Sequence, residues 1–385
     1  MRYLFVVPPL HGHINPTLAL GAELKQRGHE CAWVGHGETL LDTLPKGTRI
    51  FDFVGQQDAK TDHTEPGATN RLRGLRAFKF LWESFFIPLA EAMLPAVEDA
   101  ITQFKPDLIV SDQQTLAGML AARRMGVRWV CSATTSAGVV NPFKDLPTIK
   151  SWFEQQMTDL QMRCELSAVA HPDRSPLGTL VFSSRALVGQ AAETLPDNIY
   201  FVGPAIRPDS RQVVDFPWPQ LRPGPKIFAS LGTVNQGMGD HFFNTLFEAV
   251  ADLDVQVIVV GPDHLAGPEN VIVRQRVPQL KLLELVDAVI CHGGHNTVCE
   301  ALMQDLPLIL TPIKDDQPIV AQQVVAAGAG IRLRFNRFNA ATMRDAIERI
   351  LMDTQLKSSA QRIGQSLRLA GGLSAAADHL ETLSC

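Results

Sequence analysis

The chain lacks the features that mark several classes of protein. Its 385 residues include six cysteines without C-x-x-C spacing, several of them inside apolar runs, which is typical of reduced core residues rather than of a disulfide framework. The formal net charge of −5 gives no electrostatic reason to expect nucleic acid or an anionic membrane as a partner. We therefore expect a globular protein of the cytoplasm.

Long apolar runs are also missing. None approaches the length of a membrane span, so no transmembrane segment is predicted. The apolar start of the chain is interrupted by Pro8 and Pro9 and is too short for a signal peptide. No G-x-G-x-x-G motif follows the first strand, which argues against an NAD-dependent oxidoreductase.

What is present is a repeated alternation of apolar strands and helices. In the first half the strands are predicted at residues 3–7, 31–35, 107–112 and 128–133, each before a turn or a helix. This alternation predicts an α/β fold with a parallel, doubly wound sheet. Ligands of such sheets bind at the C-terminal ends of the strands.

The alternation stops once and then begins again. A stretch dense in proline and polar residues separates the halves, and new strands follow it at 226–232, 255–261, 271–274 and 307–312. The predicted organisation is an N-terminal domain of residues 1–204, a linker of 205–223, a C-terminal domain of 224–372 and a terminal helix of 373–385.

The stretch 287–300, DAVICHGGHNTVCE, predicts an anion site in the second domain. It indicates a strand, a glycine turn and a helix start, where backbone N–H groups and the helix dipole suit a phosphate. His292 and Asn296 can donate to the ligand, and Gly294 lets the backbone come close to it. Glu300, one turn further along, suits ribose hydroxyls. The combination predicts a nucleoside diphosphate cradle.

Two plainer interpretations compete with that cradle. Cys291, His292, His295 and Cys299 form a possible zinc set, since His295 and Cys299 share one helix face. Cys291 is expected to point into a sheet core, however, and no second cysteine pair lies nearby. The other alternative is an ordinary glycine turn between a buried strand and a helix, which is about as common as a ligand site when the stretch is considered alone.

His13 is the candidate for chemistry in the first domain. It follows the first strand at the start of a helix, with Pro16 at a helix-opening position, and Asp112 ends a later strand of the same sheet. A carboxylate beside an imidazole fixes its tautomer and leaves the other nitrogen as a general base. From spacing alone, helix capping by both residues explains the pattern at least as well, and His11 competes for the role.

Three further strand-end features point to a nucleotide sugar. The turn SLGT, with Ser230, Gly232 and Thr233, suits phosphate, and Arg276 can stack on a base. Asp316 and Gln317 open a helix where sugar hydroxyls can be read. The helices around 75–95 and 148–160 are apolar and aromatic. This composition fits a hydrophobic acceptor pocket or weak contact with a membrane surface, and it also fits helices that pack on the core. The candidate acceptor contacts are Phe78, Trp82, Phe85, Ser132, Phe143 and Trp152.

The order of these motifs along the chain carries a resemblance. GHINP (12–16), SLGT (230–233), RVPQ (276–279), HGGHNTVCEAL (292–302) and PIKDDQ (312–317) resemble the nucleotide-sugar-dependent GT-B glycosyltransferases, family 1. The similarity covers nearly the whole chain, and the block from HGG-x-N-x-x-x-E to D-Q is specific. KIFASLGT, HGGHNTV, DQPIVA and LRLAGGLSAAAD look most like the bacterial zeaxanthin glucosyltransferases.

This resemblance implies two Rossmann-like domains facing each other across a cleft, with a final helix crossing back onto the first. It implies an inverting, metal-independent transfer of a hexose, with glucose as the expected sugar, from a UDP-sugar to a hydroxyl of a hydrophobic molecule such as a carotenoid. The UDP-sugar is a co-substrate, and no cofactor is implied. His13 matches the base and Asp112 the residue that orients it. The implied donor contacts are Ser230, Gly232, Thr233, Arg276, Val277, Gln279, His292, Gly294, His295, Asn296, Thr297, Glu300, Asp316 and Gln317.

The segment at Arg276 departs from the tryptophan of the plant members, which weakens the inference about the base. Asp252 and Asp254, the one D-x-D pair, are predicted in a loop at the wrong end of the sheet, so no metal site is assigned to them. A UDP-sugar 2-epimerase of similar architecture and a non-catalytic nucleotide-sugar binder remain alternatives.

Overall fold

The computed structural model describes residues 1–53, 75–140, 146–207, 213–232, 239–335 and 337–384. The chain divides into two compact units. Unit 1 comprises Met1–Phe182, Thr194–Ile206 and Gly371–Cys385, and unit 2 comprises Ser183–Glu193 and Arg207–Ala370. The predicted division differs from this one because it assigned residues 183–193 to the first domain.

Unit 1 is built on a seven-stranded parallel sheet in the order β3-β2-β1-β4-β5-β6-β7. Its strands are β1 (Arg2–Val6), β2 (Glu30–Gly35), β3 (Arg49–Asp52), β4 (Leu108–Asp112), β5 (Trp129–Ala133), β6 (Thr179–Val181) and β7 (Ile199–Phe201). Its helices are α1 (His11–Gln26), α2 (Gly37–Thr43), α3 (Leu75–Leu81), α4 (Ile87–Phe104), α5 (Leu116–Met125), α6 (Pro147–Arg163) and α14 (Gly372–Ser384).

Unit 2 is built on a six-stranded parallel sheet in the order β10-β9-β8-β11-β12-β13. Its strands are β8 (Lys226–Ser230), β9 (Gln256–Val260), β10 (Val271–Arg274), β11 (Ala288–Cys291), β12 (Leu308–Leu310) and β13 (Gly330–Arg332). Its helices are α7 (Arg185–Val188), α8 (Asp240–Val250), α9 (Gln279–Leu283), α10 (His295–Met303), α11 (Gln317–Ala326), α12 (Ala340–Met352) and α13 (Thr354–Leu369).

The central strands are mostly apolar because helices cover both faces of each sheet. Every residue of β4 and β11 is buried, and clusters of apolar side chains fill the space on both sides. The predicted fold class, two doubly wound parallel α/β domains, is confirmed.

The aromatic helical stretch near residue 80 is broken by a π-helical turn, Trp82–Phe86, between α3 and α4. The sequence predicts a kink at Pro88. The distortion lies one turn earlier, where the Ile87 N–H donates to the Trp82 carbonyl. Proline has no N–H and its ring clashes with the carbonyl four residues before it, so a wider turn ahead of Pro88 removes the conflict.

One helical stretch in the described part of the chain, Phe78–Phe104, is long and apolar enough to cross a membrane. Half of its most apolar window is buried within the protein, and the core helix of a globular protein satisfies the same criteria. The stretch is therefore weak support for a membrane span.

The C-terminal helix α14 packs against α1 in unit 1. Ala376, Ala377 and Leu380 are fully buried in the same cluster as Tyr3 and Phe5 of β1. At the rim, Arg27 donates to Asp378 at 2.5 Å and to Glu381 at 3.1 Å. An apolar contact surrounded by ion pairs therefore holds the last helix on the first.

Candidate active site

The candidate base lies at the point where the strand order of unit 1 reverses. From β1 the chain proceeds to β2 on one side, whereas β4 lies on the other, and this arrangement opens a crevice at the C-terminal ends of β1 and β4. His13 is the third residue of α1, which follows β1, and Asp112 is the last residue of β4. The fold therefore brings together two side chains that are 99 residues apart in sequence.

The two side chains are hydrogen-bonded. His13 Nδ1 lies 2.9 Å from Asp112 Oδ2. Asp112 is 2% exposed, and its other oxygen accepts from the backbone N–H of Gln114 at 2.9 Å. With both oxygens engaged, the carboxylate has one orientation. It can hold the imidazole proton on Nδ1, which leaves Nε2 as the basic nitrogen.

A third side chain, which the sequence analysis did not single out, lies at the same nitrogen. Thr134 Oγ1 is 2.9 Å from His13 Nδ1, and Thr134 is 5% exposed. The available signal was its position just after β5, which is next to β4 in the sheet. Threonine is so common at strand ends that the position alone does not single it out.

His11 has a different environment. Its Nδ1 lies 3.1 Å from Thr43 Oγ1 of α2, and the residue is exposed. The structure therefore pairs His13, rather than His11, with the carboxylate. Pro16 does not open the helix as predicted, because α1 begins at His11 and Pro16 lies inside it.

The aromatic acceptor candidates meet in one group inside unit 1. Trp82 stacks edge-on against Phe153 with ring centroids 4.8 Å apart, and Phe78 lies 6.1 Å from Trp152. Trp82 and Phe85 are buried in the core cluster, whereas Phe78 and Trp152 are partly buried against it. In this structure Trp82 and Phe85 contribute to packing.

The remaining acceptor candidates do not join that group. Ser132 lies within β5 and is fully buried, so its hydroxyl is inside the sheet and not at a surface. This placement corrects the prediction that Ser132 lines an acceptor pocket. Phe143 lies outside the described residues.

The diphosphate candidates of unit 2 occupy the corresponding position in its sheet. β8 and β11 are neighbours, and the order reverses at β8. The turn after β11 contains Gly293, whose φ of +86° favours glycine, and Gly294 is the N-cap residue of α10. Helix geometry gives the first N–H groups of α10, from His295 to Thr297, no partner within the helix. The structure thus provides the predicted strand, glycine turn and helix N-terminus.

The His292 imidazole lies between two glycines. A Cβ added at Gly232 would come 2.6 Å from the His292 Cε1, and a Cβ at Gly294 would collide with Nε2 of the same ring. Gly232 also has a φ of +74°. Both glycines therefore make room for the ring, and Gly232 also allows a backbone conformation that other residues rarely adopt.

Burial lowers the pKa of His292 below its usual value, and the Ser230 backbone and the Asp316 carboxylate oppose this shift. The imidazole is therefore neutral at neutral pH, because a lowered pKa moves protonation to more acidic conditions. Its contribution to an anion is then a hydrogen bond rather than a positive charge.

Glu300 and Gln279 form a pair beside this turn. Gln279 Nε2 donates to Glu300 Oε2 at 2.7 Å, and Glu300 is 4% exposed. Gln279 is the first residue of α9 and follows Arg276, Val277 and Pro278 of the loop. The Arg276 side chain is exposed and Val277 is half-buried. The structure thus joins two of the predicted donor contacts by a direct hydrogen bond.

Gln317 has a local role that the sequence did not show. Its Oε1 accepts from the backbone N–H groups of Ile313 at 2.9 Å and Lys314 at 3.1 Å. This oxygen holds the loop after β12, so only the amide nitrogen remains as a donor for a sugar. Asp316 is half-buried at the N-cap position of α11.

At the end of β8 the Ser230 hydroxyl accepts from the Gly232 N–H at 3.2 Å, which shapes the turn. Thr233 lies outside the described residues.

The zinc alternative finds little support in the described residues. His295 Nε2 lies 3.3 Å from Cys299 Sγ, but the described parts of the chain contain no group of three or more His, Cys, Asp or Glu side chains that could hold a metal ion. Burial raises the pKa of Cys291 to about 12 and raises that of Cys299 as well. Both are therefore thiols at neutral pH in this structure.

Comparison with known proteins agrees with this arrangement. Residues 244–370 match the family described as erythromycin biosynthesis protein CIII-like, C-terminal domain. The chain is 29% identical to the NDP-glycosyltransferase YjiC of Bacillus licheniformis, with 97% of this chain and 95% of that protein covered. It is 26% identical to the zeaxanthin glucosyltransferase of Pantoea ananas, with 100% and 96% covered.

Among solved structures, the chain is similar to the calicheamicin glycosyltransferase CalG4, with a TM-score of 0.78, 26% identity, and 99% of this chain and 98% of that chain covered. The fold and these similarities identify the chain as a transferase enzyme with the GT-B fold of the glycosyltransferases that it resembles. The residues that match the erythromycin CIII-like model all lie in unit 2.

Proposed function

We propose that this protein transfers a hexose, glucose in the first instance, from a UDP-sugar to a hydroxyl group of a hydrophobic natural product such as a carotenoid, in the cytoplasm. The observation that carries the proposal is the His13–Asp112 pair at the switch point of unit 1. The similarity to glycosyltransferases over the whole chain supports it, and so does the glycine turn and helix N-terminus of unit 2.

The chemistry is a single displacement at the anomeric carbon. The acceptor oxygen forms a bond to that carbon as its proton passes to His13 Nε2, and the bond to the diphosphate oxygen breaks with its electron pair. Asp112 stabilises the imidazolium that results, because its carboxylate accepts from Nδ1–H. Attack opposite the leaving group inverts the anomeric configuration.

The leaving diphosphate gains negative charge in this step. In unit 2 the N-terminus of α10 and the His292 imidazole supply donors for that charge. Ser230 and Gly232 form the neighbouring turn. We propose that these groups stabilise the leaving group without a metal ion and that no cofactor is required.

Glu300 favours a ribonucleotide. Gln279 engages one of its oxygens, and a buried carboxylate beside the nucleotide suits the 2′ and 3′ hydroxyls of ribose. This arrangement supports UDP over dTDP as the carrier. The apolar, aromatic helices α3, α4 and α6 support a hydrophobic acceptor.

The first experiment incubates the purified protein with UDP-glucose and a panel of hydroxylated acceptors, including carotenoid diols and macrolide aglycones, and detects products by mass. We expect a gain of one hexose on at least one acceptor. Addition of EDTA should leave the rate unchanged. Conversion of the sugar without any acceptor would instead indicate an epimerase.

His13→Ala tests the role of the base. We expect transfer to fall by about 10³-fold or more, because no other group takes the proton, while the affinity for UDP stays within about twofold. UDP affinity is measured by calorimetry, and His11→Ala serves as the matched control with most activity retained. Substantial activity in His13→Ala would remove His13 from the base role and assign the proton transfer to another group.

A further inference from the structure

We propose that Thr134 is a positioning residue for the catalytic base, acting through the same nitrogen of His13 as Asp112. The inference rests on the proposed function, since it assumes that His13 accepts the proton of the acceptor hydroxyl. The Thr134 hydroxyl and the Asp112 carboxylate each lie 2.9 Å from His13 Nδ1.

The geometry fixes who donates. Nδ1 carries at most one hydrogen, and an ionised carboxylate only accepts, so the Nδ1–H donates to Asp112. The Thr134 oxygen at the same distance then receives the second branch of a three-centre hydrogen bond from the same hydrogen. Its own hydroxyl hydrogen points away from the imidazole.

Two acceptors hold the ring better than one. With Asp112 alone the imidazole can swing about the Nδ1 to oxygen direction, and Nε2 moves with it. Thr134 restricts that swing because it is buried and its β-branched side chain has few rotamers.

The backbone around Thr134 is itself anchored to the strand end that carries Asp112. Gln113 Nε2 donates to the Gly138 carbonyl at 2.9 Å, and a Cβ at Gly138 would collide with the Gln113 side chain. The Thr135 hydroxyl accepts from the Ala137 N–H at 3.3 Å and caps the short 3₁₀ turn Ser136–Gly138. These contacts therefore hold the loop after β5 so that the Thr134 hydroxyl lies beside the His13–Asp112 pair.

The direction of the effect on pH dependence follows from the donor assignment. An oxygen that accepts from Nδ1–H stabilises the imidazolium more than the neutral ring, so its removal lowers the pKa of His13. If the hydroxyl instead donated to an unprotonated Nδ1, its removal would raise that pKa. The two arrangements thus predict shifts of opposite sign.

The other titratable and charged groups near the His13–Asp112 pair are not altered by a substitution at Thr134. On β4, Asp112 faces His13 directly. On its own helix, His11 is engaged with Thr43. Asp173 accepts at 3.1 Å from Nε2 of Gln113, which is the residue next to Asp112 in sequence. A shift produced by Thr134→Val is therefore assigned to the lost hydroxyl.

The test compares Thr134→Val, which removes the hydroxyl and keeps the shape, with Thr134→Ser, which keeps the hydroxyl. For Thr134→Val we expect kcat to fall about tenfold with the KM for the UDP-sugar within about twofold, since only the base is affected. The acid limb of the kcat/KM profile should move to lower pH. Thr134→Ser should recover most of the rate and the original profile.

A second measurement does not depend on activity. The His13 resonances of ¹⁵N-histidine-labelled protein, identified by their loss in His13→Gln, report the tautomer and its titration. We expect the Nδ1–H tautomer in the wild type and a lower His13 pKa in Thr134→Val. An unchanged or raised pKa would overturn the proposal, and Thr134→Ala replaces the valine variant if that protein does not fold. If no transfer is found for the wild type, the proposed function fails while this titration still decides the role of Thr134.

Discussion

Gly232 and Gly294 keep a neutral imidazole close to the backbone turn that is expected to bind the diphosphate. The value of these glycines is steric, since a methyl group at either position would occupy the space of the His292 ring. The ring is also shielded from water, which lowers its pKa. Small residues thus determine where the His292 side chain lies.

Gly294→Ala tests this steric account. Its backbone conformation suits alanine, with a φ of −62° and a ψ of 130°, so the only expected penalty is the collision with His292. We expect UDP affinity to fall about tenfold or more and the melting temperature to fall by a few degrees. Calorimetry and thermal melts measure the two effects.

The double variant Gly294→Ala/His292→Ala serves as the control. Removal of the ring should restore the melting temperature lost in Gly294→Ala, because the two changes share one contact. Additive losses of stability in the double variant would show that the collision is not the cause.

Glu300→Gln tests whether Glu300 recognises the ribose hydroxyls of the nucleotide. A neutral amide accepts more weakly from hydroxyls, so we expect affinity for UDP to fall about tenfold while affinity for dTDP, which lacks the 2′ hydroxyl, falls less. The ratio of the two dissociation constants is the measurement. Gln279→Leu, which removes the partner of Glu300, should weaken UDP binding in the same direction. A wild-type protein that uses dTDP-glucose as well as UDP-glucose would contradict this account.

The site residues differ in how far the sequence predicts them. His13 and Asp112 are found because strand ends of one parallel sheet converge and because imidazole and carboxylate are chemically distinctive. Thr134 is missed because a hydroxyl after a strand is common, and its significance depends on a 2.9 Å contact across 121 residues of sequence. The local role of Gln317 is hidden for a similar reason, since its partners are backbone groups.

Among the secondary-structure elements, long apolar strands are predicted well and short ones are not. β6, β7, β12 and β13 have three residues each, and β6 and β13 are not among the predicted strands. Gly330 and Arg332 give β13 no strand pattern, and pairing with β12 forms it. The rule that proline kinks a helix places the distortion at Pro88 itself, so the sequence does not predict the π-helical turn before it.

The stability that the contact between α1 and α14 contributes is expected to depend on pH. The pKa of Glu381 lies below its ordinary value of 4.5, first because its carboxylate accepts from His29 and also because Arg27 lies nearby. A lowered carboxylate pKa gives stability that is present above the unfolded value and is lost as the pH falls through the folded one. This contribution is therefore expected at neutral pH and not in strong acid.

Glu381→Gln should lower the melting temperature of unit 1 by a few degrees at pH 7, with the difference from the wild type shrinking below about pH 4. Thermal melts at several pH values measure it. Glu284→Gln, at an exposed carboxylate for which the described residues show no ion pair, is the control and should change little. A difference that stays constant down to pH 3 would contradict the linkage.

At the scale of the whole molecule, the two units share one arrangement of their candidate residues. In each unit the candidate residues lie where the strand order reverses, beside β1 and β4 in unit 1 and beside β8 and β11 in unit 2. Alternating apolar strands and helices are enough to predict this architecture, because the end of a parallel sheet is defined once the strand directions are known. The assignment of residues 183–193 to unit 2 was not predictable, since it depends on packing rather than on local pattern.

Truncation after Ala370 tests the placement of α14. Removal of this helix exposes the apolar surface that Ala376, Ala377 and Leu380 cover, so we expect unit 1 to unfold at least 5 to 10 °C earlier, by an order-of-magnitude estimate from about 2 kcal/mol of lost burial. Hydrogen exchange followed by mass spectrometry should show faster exchange in β1 and α1, with unit 2 unchanged and UDP binding retained. Equal loss of protection in both units would contradict the assignment.

The chain order of unit 1 has a consequence for synthesis. Its first strand leaves the ribosome early, yet α14, which covers the face formed by α1 and β1, is translated only after all of unit 2. During elongation the apolar positions beneath α14 stay exposed for the time needed to make 164 residues, Arg207–Ala370. The unit that is started first is thus completed last, so its apolar surface stays uncovered for longer during synthesis than that of unit 2.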